Sequence, residues 1–141
     1  SEIIEDVRVT NRRRVSIRLD MAAACDRAFV DATLLRQIAL NLISNAVKYS
    51  FADGEVCVRC ECAADSLTLS VRDEGIGIPA VDQPHIFEIF YRADNASSIA
   101  GNGIGLAIVR QAVETHGGII SFESSENRGS CFRVTLPFLT P

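Results

Sequence analysis

Between residues 34 and 47 the apolar positions come as doublets that repeat every four residues: Leu34 and Leu35, Ile38 and Ala39, Leu42 and Ile43, Ala46 and Val47. Helical geometry places all of them on one continuous stripe. Such a helix packs on something large, so the rest of the chain is constrained to provide its cover. Asp31, just ahead of the stripe, has the short acceptor side chain of an N-cap.

The cover is predicted to be a sheet. Residues 14–19 alternate like a strand, and residues 28–30 are a short apolar run. Residues 55–62 and 67–73 alternate as well, and the short interval between them suits an antiparallel hairpin. After a glycine-rich turn, Pro79 opens a short helix running through Phe87 to Phe90, and the polar stretch 93–100 has neither period and reads as a mobile loop. A second long helix follows Gly101, Gly103 and Gly105, with Ile104, Ala107, Ile108, Ala112 and Val113 on one side and Gly117 and Gly118 at its end. Residues 119–123 and 131–136 form a closing hairpin. This order predicts an α+β fold, a two-layer sandwich with helices on one face of a mixed, mostly antiparallel sheet. At 141 residues, with no internal repeat, the chain fits one domain.

Composition narrows the function. With 48% hydrophobic and 23% charged residues, the chain is neither disordered nor fibrous. No apolar run approaches the roughly 18 residues of a membrane span, and the acidic start is unlike a signal peptide, so a soluble protein is expected. A net charge of −4 argues against nucleic-acid binding, which needs a concentrated basic face. The triplet Arg12, Arg13, Arg14 is too short to reverse that. Five cysteines are an odd number, and three of them sit in one alternating segment, so free thiols in a reducing compartment are expected rather than a disulfide framework. The remaining zinc candidates, Cys25, Cys131, His85 and His116, are scattered.

Three clusters could carry chemistry. On the first helix Gln37, Asn41, Asn45 and Lys48 fall within an arc of roughly 80° beside the apolar stripe, with Tyr49 next to them. Their carboxamides either face solvent or meet a ligand. Lys48 is the one lysine among fourteen basic residues; it suits a phosphate oxygen as a point charge, or a helix end as a counter-dipole. In the second cluster, DEGIGIP at 73–79, the period of two puts Asp73 on the same inward face as Leu67, Leu69 and Val71. An inward carboxylate needs a donor, such as an exocyclic amine, unless it caps its own turn. The third cluster, GNGIGLAIV from Gly101, presents glycines at a helix mouth, a natural phosphate cradle. It lacks the preceding strand of a dinucleotide fingerprint and the Gly-Lys-Ser/Thr of a P-loop.

Taken in order, NLISNAVKYS, DEGIGIP, IFEIFYR and GNGIGLAIV resemble the asparagine, first glycine, phenylalanine and second glycine motifs of sensor histidine kinase catalytic domains, over about residues 31–136. The resemblance implies the Bergerat ATP-binding fold shared with gyrase-like, heat-shock-chaperone and mismatch-repair ATPases. It implies ATP and Mg²⁺ as ligands. By it, Asn45 holds the metal, Asn41, Lys48 and Arg92 serve the phosphates, and Tyr49 lies against the nucleotide. Asp73 reads adenine, with Gly75, Gly77 and Ile78 lining the base pocket. Phe87 and Phe90 anchor the ATP lid, which is the loop read above as mobile. Gly101, Gly103, Ile104, Gly105 and Leu106 hinge that lid and approach the phosphates.

In hydrolysing members of that superfamily a Glu four residues before the metal-binding Asn activates water; here that position is Asn41, which cannot act as a base, so hydrolysis is expected to be slow. The implied reaction is transfer of the γ-phosphoryl group to a protein histidine. Neither His85 nor His116 has the acceptor's setting, so the acceptor is expected on a separate dimerisation domain, with a response regulator downstream. His85 is expected on a helix surface and His116 near a helix C-terminus, where partial charge favours it. Residues 1–14 then read as a lead-in from that domain and 15–141 as the catalytic domain, monomeric in isolation, cytoplasmic, without direct membrane contact, within a parent that membrane anchoring would suit. No basic residue lies between Arg92 and Gly101, which leaves Arg92 as the lid's candidate for the γ-phosphate. Two rival readings are a nucleotide-binding pseudokinase and a docking domain that has lost ATP.

Overall fold

The computed structural model describes residues 15–21, 29–51, 53–88 and 105–139. The lead-in at 1–14, the loop at 93–100, and the predicted site residues Phe90, Arg92, Gly101, Gly103 and Ile104 lie outside the described residues.

Helix α1 spans Ala32–Tyr49. The Asp31 carboxylate caps it, accepting from the Thr33 and Leu34 N–H groups at 2.9 and 3.1 Å. Its stripe of Ile38, Ala39, Leu42, Ile43, Ala46 and Val47 is buried, as the doublets require. Ile38 is fully enclosed, so truncating it to alanine would cost about 2–5 kcal/mol. The helix stops at Ser50, whose buried hydroxyl donates back to the Ala46 carbonyl at 2.8 Å.

Among the described residues five strands cover this stripe: β1 Ser16–Met21, β2 Glu55–Cys62, β3 Ser66–Asp73, β4 Ile119–Ser125 and β5 Gly129–Pro137. The sheet order is β1-β2-β3-β5-β4. Only β1 and β2 pair in parallel; the other neighbours are antiparallel. A parallel pair needs a crossover longer than a hairpin, and α1 lies within that connection. Helix α2, Gly105–Thr115, packs beside α1. Val56, Val58, Leu67, Leu69, Val71, Phe132, Val134 and Leu136 face the helices from the sheet. The fold is therefore the two-layer α+β sandwich expected.

Helix α2 ends in a Schellman motif. The Gly118 N–H bonds to the Val113 carbonyl at 2.9 Å and the Gly117 N–H to the Glu114 carbonyl at 3.0 Å, with Gly117 at φ +78°. That turn places His116 at the helix C-terminus, as expected, and buries it. Its Nε2 accepts the Asp31 N–H at 3.0 Å, joining the end of α2 to the start of α1.

Two expectations change. The short helix expected from Pro79 contracts to a 3₁₀ turn at Gln83–His85, entered by bonds from Asp82 N–H to Pro79 O and Gln83 N–H to Ala80 O. Pro84 has no N–H to extend it. His85 is exposed there and pairs with Glu88 at 3.0 Å. Cys62 is disulfide-bonded rather than free, whereas Cys57, Cys60 and Cys131 are free thiols as expected.

Candidate functional site

Asp73 closes strand β3, opposite Val56 on one side and Ser130 on the other. The strand's alternation carries its side chain to the inner face, where it is 7% exposed. Its Oδ1 is buried and makes no hydrogen bond, so the carboxyl is not the self-capping turn residue of the alternative reading. Burial pushes its pKa up to about 6, against the pull of a hydrogen bond from the Ser130 backbone. An orphaned acceptor in this setting calls for a donor from outside the chain.

The wall beside it is main chain. The chain turns at Gly75, which bridges Ser50 at the end of α1, and the Ile76 N–H donates to the Tyr49 carbonyl at 3.1 Å. A Cβ on Gly75 would lie 2.1 Å from the Tyr49 carbonyl oxygen and 2.8 Å from Asp73 Oδ1, so no side chain fits. Gly77, at φ +66°, is pressed on the β4–β5 turn, where a Cβ would meet the Ser125 carbonyl oxygen at 1.9 Å. The Asn127 N–H donates to the Ile76 carbonyl at 2.7 Å from the same turn.

The next residues are tied by side chains. The Ile78 N–H donates to Ser124 Oγ at 2.8 Å, and Gln83 Nε2 donates to the Ile78 carbonyl at 3.0 Å and the Ser124 carbonyl at 3.2 Å. Phe87 then packs edge-on against Phe122 and Phe132, with the Arg110 guanidinium 5.9 Å from its ring centre. Phe87 thus fastens the segment leading to residue 88 onto both β4–β5 and α2.

At the other end stand Asn41 and Asn45. Asn41 Nδ2 donates to the Gln37 carbonyl at 2.8 Å. A Cβ on Gly105, the first described residue of α2, would lie 3.4 Å from Asn41 Oδ1 and 3.6 Å from both amide atoms of Asn45. The start of α2, the positive end of its dipole, therefore faces the two carboxamides. Leu106 packs on the core behind it, and Lys48 occupies the last turn of α1.

The final turns of α1 join the two ends. Tyr49 touches Gly75 beside Asp73, and Asn45, one helical turn of about 5.4 Å earlier, faces Gly105. The structure thus sets Tyr49, Gly75 and Asp73 together at the end of α1 and Asn41, Asn45 and Gly105 together one turn before it, whereas Gly77 packs on the β4–β5 turn. Sequence reasoning passed over Ser124, Gln83 and Ser130, which touch this machinery. Only Gly129, in a turn at φ +97° with the Asp73 carbonyl 2.1 Å from where its Cβ would be, left a signal in the residue type.

Carboxamide oxygens are hard donors, so Asn45 suits Mg²⁺, which takes few protein ligands when phosphates supply the rest. Among the described residues no group of three or more His, Cys, Asp or Glu could hold a metal.

Comparison with known proteins gives a consistent picture. Residues 30–140 match the family described as histidine kinase-, DNA gyrase B- and HSP90-like ATPases. The sensor protein KdpD of Escherichia coli K12 is 38% identical over 121 residues, covering 86% of this chain and 14% of KdpD. WalK of Bacillus subtilis, a sensor histidine kinase, is 41% identical over 113 residues, covering 77% of this chain and 18% of WalK. The chain thus spans less than a fifth of these curated relatives. Among solved structures, the mycobacterial sensor histidine kinase MprB superposes with a TM-score of 0.81 at 29% identity, covering 96% of this chain and 91% of that one. With its motifs, its sheet order and its matched length in agreement, the chain belongs to the histidine kinase-, DNA gyrase B- and HSP90-like ATPase family and has the fold of a histidine kinase catalytic domain.

Proposed function

We propose that this chain is the ATP-binding catalytic domain of a two-component sensor histidine kinase, which passes the γ-phosphoryl group of Mg·ATP to a histidine on a separate dimerisation domain. The observation that carries this reading is the buried, unpaired Oδ1 of Asp73 beside the side-chain-free wall at Gly75. An ionised carboxylate only accepts, and the 6-amino group of adenine is a donor of the right polarity. Full-length ShkA, solved in complex with AMPPNP, superposes with a TM-score of 0.76 at 27% identity, over 99% of this chain and 30% of that one. This supports an adenine nucleotide as ligand.

In this reading Tyr49, Gly75, Gly77 and Ile78 line the base pocket, and Asn45 holds Mg²⁺ with Asn41 and Lys48 nearby. When bound, the metal neutralises charge on the phosphate oxygens. Arg92, Phe87 and Phe90 serve the lid, and Gly101, Gly103, Ile104, Gly105 and Leu106 its second hinge. The acceptor imidazole nitrogen forms an N–P bond as the bond from the γ-phosphorus to its bridging oxygen breaks, releasing ADP, and the proton on the other ring nitrogen passes to solvent water. Asn41 offers water no base, so transfer outruns hydrolysis.

The domain comprises residues 15–141, with 1–14 as its lead-in, and is monomeric alone. Its working partners are the dimerisation domain and, through it, a response regulator. It works in the cytoplasm, where ATP is; no helix among the described residues is long and apolar enough to cross a membrane.

The test is to mix the chain with the histidine-bearing dimerisation domain of its own parent kinase and γ-labelled Mg·ATP. An acid-labile, base-stable phosphohistidine is the expected product. ATP binding without that product would identify a pseudokinase, and no ATP binding would refute the reading.

A further inference from the structure

The turn from Gly75 to Pro79 runs past Asp73, and at Ile78 both peptide groups are held by side chains rather than by a strand partner. The N–H is held by Ser124 Oγ of β4 at 2.8 Å and the carbonyl by Gln83 Nε2 of the 3₁₀ turn at 3.0 Å. The same Gln83 nitrogen reaches the Ser124 carbonyl at 3.2 Å, which closes the ring of contacts. Ser124 Oγ also lies 2.7 Å from Ser130 Oγ and 3.2 Å from the Gly129 carbonyl. Ser130 in turn hydrogen-bonds to the Asp73 carboxyl through its backbone.

We propose that Ser124 and Gln83 are positioning residues: a side-chain clip that fixes the base-pocket turn against the β4–β5 hairpin and so sets nucleotide affinity and the preference for a 6-aminopurine over a 6-oxopurine. The proposal rests on the nucleotide reading above and deepens it. Ser124 has one proton and two lone pairs. With one lone pair taken by Ile78, its proton serves Gly129 or Ser130, so a single hydroxyl registers the turn against the strand that adjoins Asp73. Removing it leaves the half-buried Ile78 N–H without its acceptor. A 6-oxo group would set acceptor against acceptor at Asp73, and that repulsion discriminates only while the turn keeps the base at contact distance. A loosened turn lets the base retreat, and the two purines become more alike.

The experiment is calorimetry of Mg·ATP and Mg·ITP binding to the 141-residue chain, well below its melting temperature. Ser124→Ala and Gln83→Leu should each weaken ATP binding roughly two- to tenfold, the worth of one neutral hydrogen bond. Each should also lower the ATP:ITP affinity ratio. Ser124→Thr keeps the hydroxyl and should restore both quantities. A general loss of stability moves the melting temperature but leaves the ratio unchanged, so a lower melting temperature with parental affinity and ratio overturns the proposal. If Ser124→Ala does not fold, Gln83→Leu, on a turn outside the sheet, decides by the same ratio. A parent chain that binds neither nucleotide overturns the nucleotide reading together with the clip. A parent that binds ATP, with both variants unchanged, overturns the clip alone.

Discussion

Around Asp73 the site is walled by main chain, with carbonyl oxygens 2.1 and 1.9 Å from where a Cβ on Gly75 or Gly77 would sit; around Gly105 the nearest atoms are the carboxamides of Asn41 and Asn45, at 3.4 to 3.6 Å. The first end has no slack and buries an ionisable group. The second is made of half-buried side chains with room to move. Recognition of a flat base tolerates rigid walls. In the function proposed above, a metal–phosphate cluster at the second end would need side chains that can adjust.

The rigid end is most vulnerable at Gly77. Gly77→Val should put a branched side chain into the Ser125 backbone at a positive φ, costing several kcal/mol, and circular dichroism should find the chain unfolded or its melting temperature far lower. Gly105→Ala, at the open end, should fold normally, since its Cβ would be in ordinary van der Waals contact. Next in size, Asn45→Ala should leave folding intact while lowering phosphotransfer roughly a hundredfold, measured by phosphohistidine formation.

Asp73→Asn separates stability from binding. The folded-state pKa is raised from 3.8 to about 6, so the native state prefers the protonated carboxyl. That contribution to stability is fully present below about pH 4 and is lost as pH rises through about 6, a change of about 3 kcal/mol. The melting temperature of the nucleotide-free chain should therefore fall between about pH 4 and pH 7, and Asp73→Asn should flatten the slope and raise stability at neutral pH. Nucleotide affinity should behave oppositely, rising through about pH 6 as the acceptor ionises. The variant should lose about ten- to a hundredfold in calorimetric affinity. The smallest effect is expected at Arg110→Ala, which removes an exposed cation–π contact with Phe87 worth about 0.5–1 kcal/mol, seen as a slight drop in melting temperature.

Local pattern made much of this legible. The doublets at 34–47 specified α1 and its buried face, and alternation located β2, β3 and the inward Asp73. Residue type marked Gly75 and Gly77. What stayed hidden depends on partners distant in sequence. Nothing near residue 16 announces that β1 pairs in parallel with β2, because that pairing is made 39 residues away, Ser16 with Glu55. Ser124 and Gln83 look like ordinary polar residues until the turn at Ile78 arrives between them. His116 lies at the helix end as its position implied, but its burial and its partner 85 positions away could not be read locally. The 3₁₀ turn falls short of the helix expected from Pro79 because Pro84 lacks the N–H that a longer helix needs.

The His116–Asp31 bond has a mechanical corollary. Helix α2 is fastened at its far end to Asp31, the N-cap residue of α1, so any displacement at Gly105 would be a swing about that fulcrum instead of a slide. Eleven residues make a lever of about 16 Å, and a tilt of about 5° carries Gly105 roughly 1.5 Å relative to Asn41 and Asn45. Small rotations at a buried pivot would thus open or close the gap where the two carboxamides meet the helix mouth.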